Sequence, residues 1–208
     1  VIIASVTLEG IPSLLLIDRA QLNRAGILRE EIIDQTRRSF QLVLDGLEIP
    51  AEQVLPGTDF GHLERTAMLL LAAEMTGGIA GVLHLIVEYL NTRKAFDRYI
   101  GSYQSLKHPS SDILLSLEGA KSHLYHAATA MALVPEQAES DVLMAKSQAS
   151  AAYAYAGDRA VQFHGGFGFT FDCDAQLYLR RALWCQNQFG DDVYLRQRLQ
   201  PLLLDKVI

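Results

Sequence analysis

The sequence predicts an α+β protein in which a small antiparallel β-segment precedes a bundle of long helices. Three observations support this class. Short runs of β-branched residues lie near the start of the chain, the hydrophobic period becomes helical near residue 62, and no proline occurs between Pro56 and Pro109. The 208 residues, half of them hydrophobic, suffice for one large domain or two small ones. We therefore expect about four strands, followed by a bundle of four to five antiparallel helices.

The strand signals fall in residues 1–8, 13–17 and 39–44, and turn-forming residues separate them at positions 9–12, 34–36 and 45–46. A sheet of so few strands would be only marginally stable alone. We therefore expect these strands to pack on other residues. Pro50 and Pro56 mark the end of this segment. We predict a β-domain over residues 1–57 and a helical domain over residues 58–208.

Residues 63–98 have the pattern of one long helix, apolar nearly all round between positions 68 and 90, which indicates burial on several sides. The length would suffice to cross a membrane, but Glu74, His84 and Glu88 lie inside it. We therefore expect a core helix of a protein that has no membrane partner.

Small residues and capping signals define the rest of the bundle. Gly77 and Gly81 are four residues apart on one helix face, which favours the close approach of another helix. Glu139 to Asp141 offer caps for the third helix. The further helices are predicted over residues 103–133, 142–163, 175–187 and 191–204.

Charge and cysteine content argue against several classes of function. Eighteen basic and 24 acidic residues give a formal charge of -6, which does not favour binding to nucleic acid or to an anionic membrane. Cys173 and Cys185 are twelve residues apart, and the chain has no signal-peptide pattern. We expect a cytoplasmic protein without a disulfide framework or a zinc site.

Two segments could bind a ligand. Basic residues at positions 93–98 usually complement a helix dipole, but Arg93 could also grip a pyrophosphate, since guanidinium pairs bidentately with phosphate oxygens. In residues 160–169, one glycine would suffice to cap a helix, whereas Gly165, Gly166 and Gly168 suggest that bare backbone approaches a ligand. A plain loop explains this spacing equally well. The segment follows a helix, so it is not a Rossmann fingerprint.

One pair of aspartates and one pair of histidines could suggest a metal site, but each has a simpler explanation. Asp191 and Asp192 are placed to cap the last helix. His123 and His126 are three residues apart on one helix, without the ExxH motif of a di-iron bundle. We expect no bound metal.

Taken in order, these features resemble the C-terminal part of an acyl-CoA dehydrogenase. Residues 90–96, together with Gln104, resemble the R-x-x-F...Q segment of that family, and residues 160–169 resemble its Q-x-x-G-G-x-G-F motif. Residues 178–182 are similar to the helix that follows, and residues 44–50 are similar to the end of the family's middle β-domain. The resemblance covers essentially the whole chain.

This resemblance implies FAD bound at a subunit boundary of a homo- or hetero-oligomer, a dimer or tetramer, with acyl-CoA as substrate. The matching cofactor-binding positions are Arg93, Phe96 and Gln104, toward the diphosphate and adenine of a neighbouring subunit's flavin, and Gln162, Gly165 and Gly166, over the adenosine portion. The implied reaction is α,β-dehydrogenation of the thioester, in which a carboxylate removes the α proton and the flavin accepts the β hydride.

The sequence departs from the family at the catalytic base. The usual glutamate position is Phe189 and the alternate position, on the first long helix, is Ala67. Glu64 and Glu74 lie near the same helix face, but surface or ion-pair roles are favoured for them. The base is therefore unassigned.

Two interpretations stay open. Either the chain belongs to a non-catalytic partner subunit of a heteromeric, steroid-type dehydrogenase, or the base comes from elsewhere in the protein. The chain begins with Val1 and contains neither the N-terminal helical domain nor the first β-domain strands of the family. We therefore expect it to represent the C-terminal half of the enzyme, inactive by itself.

Overall fold

The computed structural model describes residues 2–22, 26–55 and 59–204, which form two compact units divided after residue 62. Strands dominate the first unit and helices the second, so the predicted α+β class is confirmed. The predicted domain boundary after residue 57 lies outside the described residues, as do Val1 and Pro56.

The first unit opens with a tight hairpin. Strand β1 (Ile2–Leu8) pairs antiparallel with β2 (Ile11–Ile17) along the full length of both. Glu9 and Gly10 form the two-residue turn with φ values of 50° and 83°, which matches the right-handed twist of the strands. The prediction that Pro12 belongs to the turn is wrong. Pro12 lies in β2, where it is paired with β1 on one side and β5 does not reach it on the other.

The first unit contains a second hairpin, in which β3 (Gly26–Glu30) pairs antiparallel with β4 (Ser39–Val43). The sequence pattern located β4 but not β3, whose residues are all exposed and show no alternation. The short helix α1 (Arg19–Leu22) follows β2, and the two-residue strand β5 (Val54–Leu55) pairs with the free edge of β2. The buried core consists of Leu15, Ile17 and Leu22.

In the described residues, the second unit is an antiparallel bundle of five helices, the first of which begins just before the division. They are α2 (Phe60–Thr92), α3 (Gln104–Leu133), α4 (Ala138–His164), α5 (Ala175–Asn187) and α6 (Asp192–Leu204). Helix α4 lies at the centre and packs against α3, α5 and α6. Its buried face is rich in alanine, which lets the neighbouring helix axes approach closely.

Helix α2 ends at Thr92, whereas the sequence pattern predicted a helix to residue 98. Strands β6 (Lys94–Ala95) and β7 (Arg98–Tyr99) instead form a miniature hairpin. Phe96 and Asp97 make its turn with φ values of 53° and 61°. The helical prediction was wrong here because the chain turns back to bury Ile100, which is 9% exposed, against the bundle.

Burial on α2 is confined to one side, so the expectation of burial on several sides is not met within this chain. Its buried residues recur every three or four positions from Met68 to Leu90, whereas Leu70 on another face is 66% exposed. Among the helices of the described residues, α2 alone has the length and composition that a membrane span requires. A core helix meets the same criterion.

The prediction that Gly77 and Gly81 admit a neighbouring helix is confirmed for Gly81 and wrong for Gly77. A Cβ at Gly77 would meet nothing within 4 Å, so this residue is not a packing site. A Cβ at Gly78 would overlap the ring of Tyr153, and one at Gly81 would lie 2.8 Å from the Tyr178 hydroxyl. Gly78 and Gly81 therefore admit two tyrosine rings from α4 and α5.

Helix α4 starts at Ala138, earlier than the predicted residue 142, so Glu139 to Asp141 lie inside its first turn and do not precede it. Acidic residues there stabilise the positive end of the helix dipole. Asp141 also lies 3.3 Å from Nε2 of His126 on α3. This contact gives His126 a structural partner on the neighbouring helix.

Candidate functional site

The C-terminal ends of α2 and α4 meet at a cleft of about 660 Å³. The cleft brings together three of the six predicted cofactor-binding residues, Arg93, Gly165 and Gly166. Its lining consists of Tyr89, Arg93, Ile100, Leu106, Phe163, His164, Gly165, Gly166 and Phe167.

Arg93 follows directly on the end of α2. Its backbone N–H donates to the carbonyl of Tyr89 at 2.9 Å, and its carbonyl accepts from the N–H of Ile100 at 2.9 Å. The side chain is exposed and, within the part of the chain that the structure describes, its guanidinium has no hydrogen-bond or ion-pair partner. A rigid backbone thus presents a free cation to the cleft.

The other cations of this hairpin are already engaged. Lys94 Nζ lies 4.8 Å from the ring centre of Tyr99, and the Arg98 guanidinium lies 4.1 Å from that of Tyr103. The Tyr103 hydroxyl donates to the carbonyl of Ala95 at 3.1 Å. These contacts hold the hairpin in shape and leave Arg93 as its cation for a ligand.

Two of the three glycines that follow α4 are required by the fold, and the third is not. Gly168 is required by packing, because a Cβ there would overlap the carbonyl oxygen of Val161. Gly165 caps α4 through an N–H bond to the carbonyl of Gln162, in a backbone conformation (φ 60°, ψ -141°) that is natural only to glycine. Gly166 has neither reason: its φ is not positive, and a Cβ would meet only open space. The structure thus leaves Gly166 bare toward the cleft.

Sequence reasoning missed two aromatic rings in the cleft wall. The Tyr89 and His164 rings stack with centroids 4.1 Å apart and planes 24° from parallel. Tyr89 lies four residues before Arg93 on one helix face, and His164 directly precedes the glycines. Both positions were therefore visible as neighbours of residues that had been singled out.

The remaining predicted cofactor-binding residues do not line this cleft. Phe96 lies at the tip of the β6–β7 turn and is 91% exposed. Gln104 is the exposed first residue of α3, and Gln162 is exposed in the last turn of α4. Their cofactor roles stay predictions.

The usual position of the catalytic base lies in the turn between α5 and α6. Phe189 there has a φ of 54° and is 48% exposed. Asp191 Oδ1 accepts a hydrogen bond from the N–H of Tyr194 at 2.9 Å, which confirms that this carboxylate caps α6. A hydrogen bond from Ser147 lowers the pKa of Asp192, which also pairs with Arg196. Both aspartates therefore have structural roles.

The carboxylates near the alternate base position are held in ion pairs. Ala67 is half-buried on α2, with Glu64 and Glu74 on either side of it along the helix. Glu64 accepts from Arg198 at 2.9 Å, and Glu74 pairs with Arg181. The favoured interpretation as ion-pair residues is confirmed by these contacts.

Residues 2–22, 26–55 and 59–204 contain no group of three His, Cys, Asp or Glu side chains arranged to hold a metal ion. Cys173 and Cys185 are both buried free thiols.

The family model described as acyl-CoA dehydrogenase, C-terminal domain, matches residues 62–200. The chain therefore belongs to the acyl-CoA dehydrogenase family. This match includes the cleft, both motifs that carried the sequence resemblance, and both positions of the catalytic base.

Known relatives agree with this assignment. The acyl-CoA dehydrogenase IpdE2 of Mycolicibacterium smegmatis is 34% identical over 150 residues, which cover 72% of this chain and 44% of the relative. The ChsE4–ChsE5 complex of Mycobacterium tuberculosis shares the fold with a TM-score of 0.88 and 24% identity, over 97% of this chain and 55% of the matched chain. The Tcur3481–Tcur3483 steroid ACAD matches with a TM-score of 0.84 and 26% identity, over 99% of this chain and 55% of its own. The chain thus spans about half the length of these relatives.

Proposed function

We propose that this chain is the C-terminal part of an FAD-dependent acyl-CoA dehydrogenase and that its cleft binds the FAD diphosphate. The observation that carries the proposal is the pairing of a free Arg93 guanidinium with the bare backbone of Gly166 in one cleft. A cation beside open glycine backbone suits a group that is compact and doubly charged.

The residues present fit this cofactor. The guanidinium of Arg93 can pair bidentately with phosphate oxygens, and Gly166 lines the cleft with open space where a Cβ would stand. Phe96 is 91% exposed, which is unusual for a large apolar residue in a turn, and a ligand or subunit that covered it would remove its ring from water. We include Gln104 and Gln162 as hydrogen-bonding side chains for the same cofactor, because both match positions of the family's motifs.

When bound, FAD supplies the acceptor for the hydride that leaves the acyl-CoA substrate. The contribution of this chain is to bind and orient. Arg93 neutralises the diphosphate, and the glycine loop lets the backbone approach it. The Arg93 backbone is anchored to Tyr89 and Ile100, so the guanidinium is presented from a fixed base. We further propose that the site is completed in a dimer or tetramer of like or unlike subunits.

A second candidate, a non-catalytic partner subunit of a heteromeric acyl-CoA dehydrogenase, is supported by the state of the base positions. Phe189 and Ala67 carry no titratable group, and Arg198 and Arg181 already neutralise Glu64 and Glu74. In this version the chain would hold FAD while another subunit removes the α proton of the acyl-CoA.

Titration of FAD into the full-length protein tests the binding proposal. We expect Arg93→Ala to weaken FAD binding about tenfold or more, because a charge-assisted hydrogen bond is lost. Arg196→Ala is the matched control, since Arg196 is 73% exposed on α6 and outside the cleft. Equal FAD affinity of the Arg93→Ala and unsubstituted proteins would refute the proposal.

Turnover of the complete complex separates the two candidates. In the partner-subunit version, Glu64→Gln and Glu74→Gln variants that still fold and bind FAD keep the dehydrogenation rate. A loss of turnover in either variant, with FAD content unchanged, would identify that glutamate as the base and exclude the partner-subunit version.

A further inference from the structure

His164 is held in the cleft wall with one ring nitrogen satisfied. The residue is 5% exposed, and its Nδ1 lies 2.7 Å from the carbonyl oxygen of Ala160. A carbonyl only accepts hydrogen bonds, so Nδ1 carries the hydrogen and the neutral ring presents Nε2 as an acceptor. Stacking on Tyr89 fixes the plane of the ring.

The second ring nitrogen, Nε2, has no partner within the part of the chain that the structure describes. Among the residues that the structure describes, nothing hydrogen-bonds to Nε2 of His164, and this atom is not one of the enclosed unpaired polar atoms. Since it is not fully enclosed and His164 lines the cleft, Nε2 borders the cleft, although the residue as a whole is only 5% exposed. A buried acceptor left open in this way is suited to a ligand donor.

His164 borders two clefts, and charge distinguishes them. The cleft with Arg93 carries the free guanidinium. The neighbouring one, of about 740 Å³, is lined by Glu88, Asp172 and Asp174 among others and disfavours an anion. A ligand that carries a diphosphate would therefore meet His164 from the side of Arg93.

We propose that Nε2 of His164 accepts a hydrogen bond from a sugar hydroxyl adjacent to the diphosphate of the bound dinucleotide. Phosphate oxygens are acceptors and cannot pair with an acceptor nitrogen, whereas the ribose and ribityl groups on either side of the diphosphate offer hydroxyl donors. Arg93 then holds the charge and His164 selects the sugar. This inference rests on the proposed FAD site.

Two substitutions of His164 distinguish the role of its Nδ1 from that of its Nε2. His164→Asn keeps an amide N–H where Nδ1 donates to Ala160 and removes the Nε2 acceptor, whereas His164→Gln places an amide oxygen near the Nε2 position. His108→Asn is the matched control, because His108 is exposed on α3 and outside both clefts. Thermal unfolding of each ligand-free variant checks that the fold is retained.

Calorimetric titration of the full-length protein with FAD, ADP and inorganic pyrophosphate, at about pH 8 where free imidazole is neutral, tests the proposal. We expect His164→Asn to weaken FAD and ADP about three- to tenfold, with pyrophosphate unchanged and with partial recovery in His164→Gln. A loss for FAD and not for ADP assigns the contact to the ribityl hydroxyls and equally supports the proposal.

Unchanged affinity of His164→Asn for both FAD and ADP would overturn the inference, as would an equal loss for pyrophosphate. The Arg93→Ala variant distinguishes a failure of this inference from a failure of the proposed FAD site, because it is expected to weaken the binding of all three probes. If Arg93→Ala binds the probes normally, the FAD site itself is refuted.

Discussion

The ammonium of Lys146, on α4, donates a hydrogen bond of 2.7 Å to the carbonyl oxygen of Gly190 in the turn between α5 and α6. A second bond of 3.2 Å reaches the carbonyl of Gln186, in the last turn of α5. Lys146 is completely buried. A buried cation at the end of α5 complements the helix dipole and fixes the turn that carries Phe189.

This burial predicts a pH dependence of stability. Desolvation lowers the pKa of Lys146 from 10.5 to about 8. The unfolded chain therefore binds more protons at this residue between those two values, so the contribution of Lys146 to the free energy of unfolding rises with pH across that window. Relative to a Lys146→Met variant, the unsubstituted protein should gain up to about 3 kcal/mol from pH 8 to about pH 10.5. Urea unfolding of both proteins measures the difference, and parallel pH curves would contradict the prediction.

Adjacent glycines in α2 should respond in opposite directions to the same substitution. Gly78→Ala forces a Cβ into the ring of Tyr153 and should lower the free energy of unfolding by about 2 kcal/mol or more. Gly77→Ala meets open space and should raise it by about 0.5–1 kcal/mol, because alanine favours a helix. Denaturant titrations of the two variants provide the comparison. Similar values for both would show that the Tyr153 ring moves away.

Arg198 links three helices and should matter more than its neighbour Arg196. Its guanidinium donates to Glu64 on α2 at 2.9 Å and to Glu139 on α4 at 2.7 Å, with 25% of the side chain exposed. Arg198→Met should destabilise the protein by about 1–3 kcal/mol, because two partly buried carboxylates lose their partner. Arg196→Met removes only the surface ion pair with Asp192, in which the Arg196 side chain is 73% exposed, and should cost less than about 0.5 kcal/mol. Thermal unfolding of both variants measures the difference. Equal shifts of the unfolding temperature would contradict the prediction that Arg198 links three helices.

The glycine loop allows stability to be separated from binding. Gly168→Ala brings a Cβ onto the Val161 carbonyl and should destabilise the fold by about 2 kcal/mol or more. Gly166→Ala should leave stability within about 0.5 kcal/mol and weaken FAD binding about fivefold or more, because the Cβ occupies the cleft. Unfolding and FAD titration are measured on both variants. Full FAD affinity in Gly166→Ala would show that the ligand does not approach this backbone.

Local pattern predicted several elements well. Helix α5 was predicted with its observed bounds, because its apolar period and the loops on both sides are local signals. The β6–β7 hairpin was missed, since Lys94 to Arg98 contains good helix formers and no glycine. The turn at Phe96 and Asp97 depends instead on the burial of Ile100, a contact that no local pattern expresses.

The site, like the fold, was predicted where local residue types indicate it and missed where it depends on distant contacts. The two motifs identified Arg93 and the glycine loop from their residue types, but not that Gly168 serves packing while Gly166 faces the cleft. Tyr89 and His164 lie far apart along the chain, so their stacking was not readable from either motif.

The sequence by itself determined the class, the order of strands and helices, and the family, because hydrophobic period and motif spacing are properties of neighbouring residues. Only the tertiary structure decided which cations and glycines remain available to a ligand. That selection depends on what each side chain meets from elements distant in the chain, as Arg198 meets Glu64 and Lys146 meets Gly190, while Arg93 meets no such partner within the described residues.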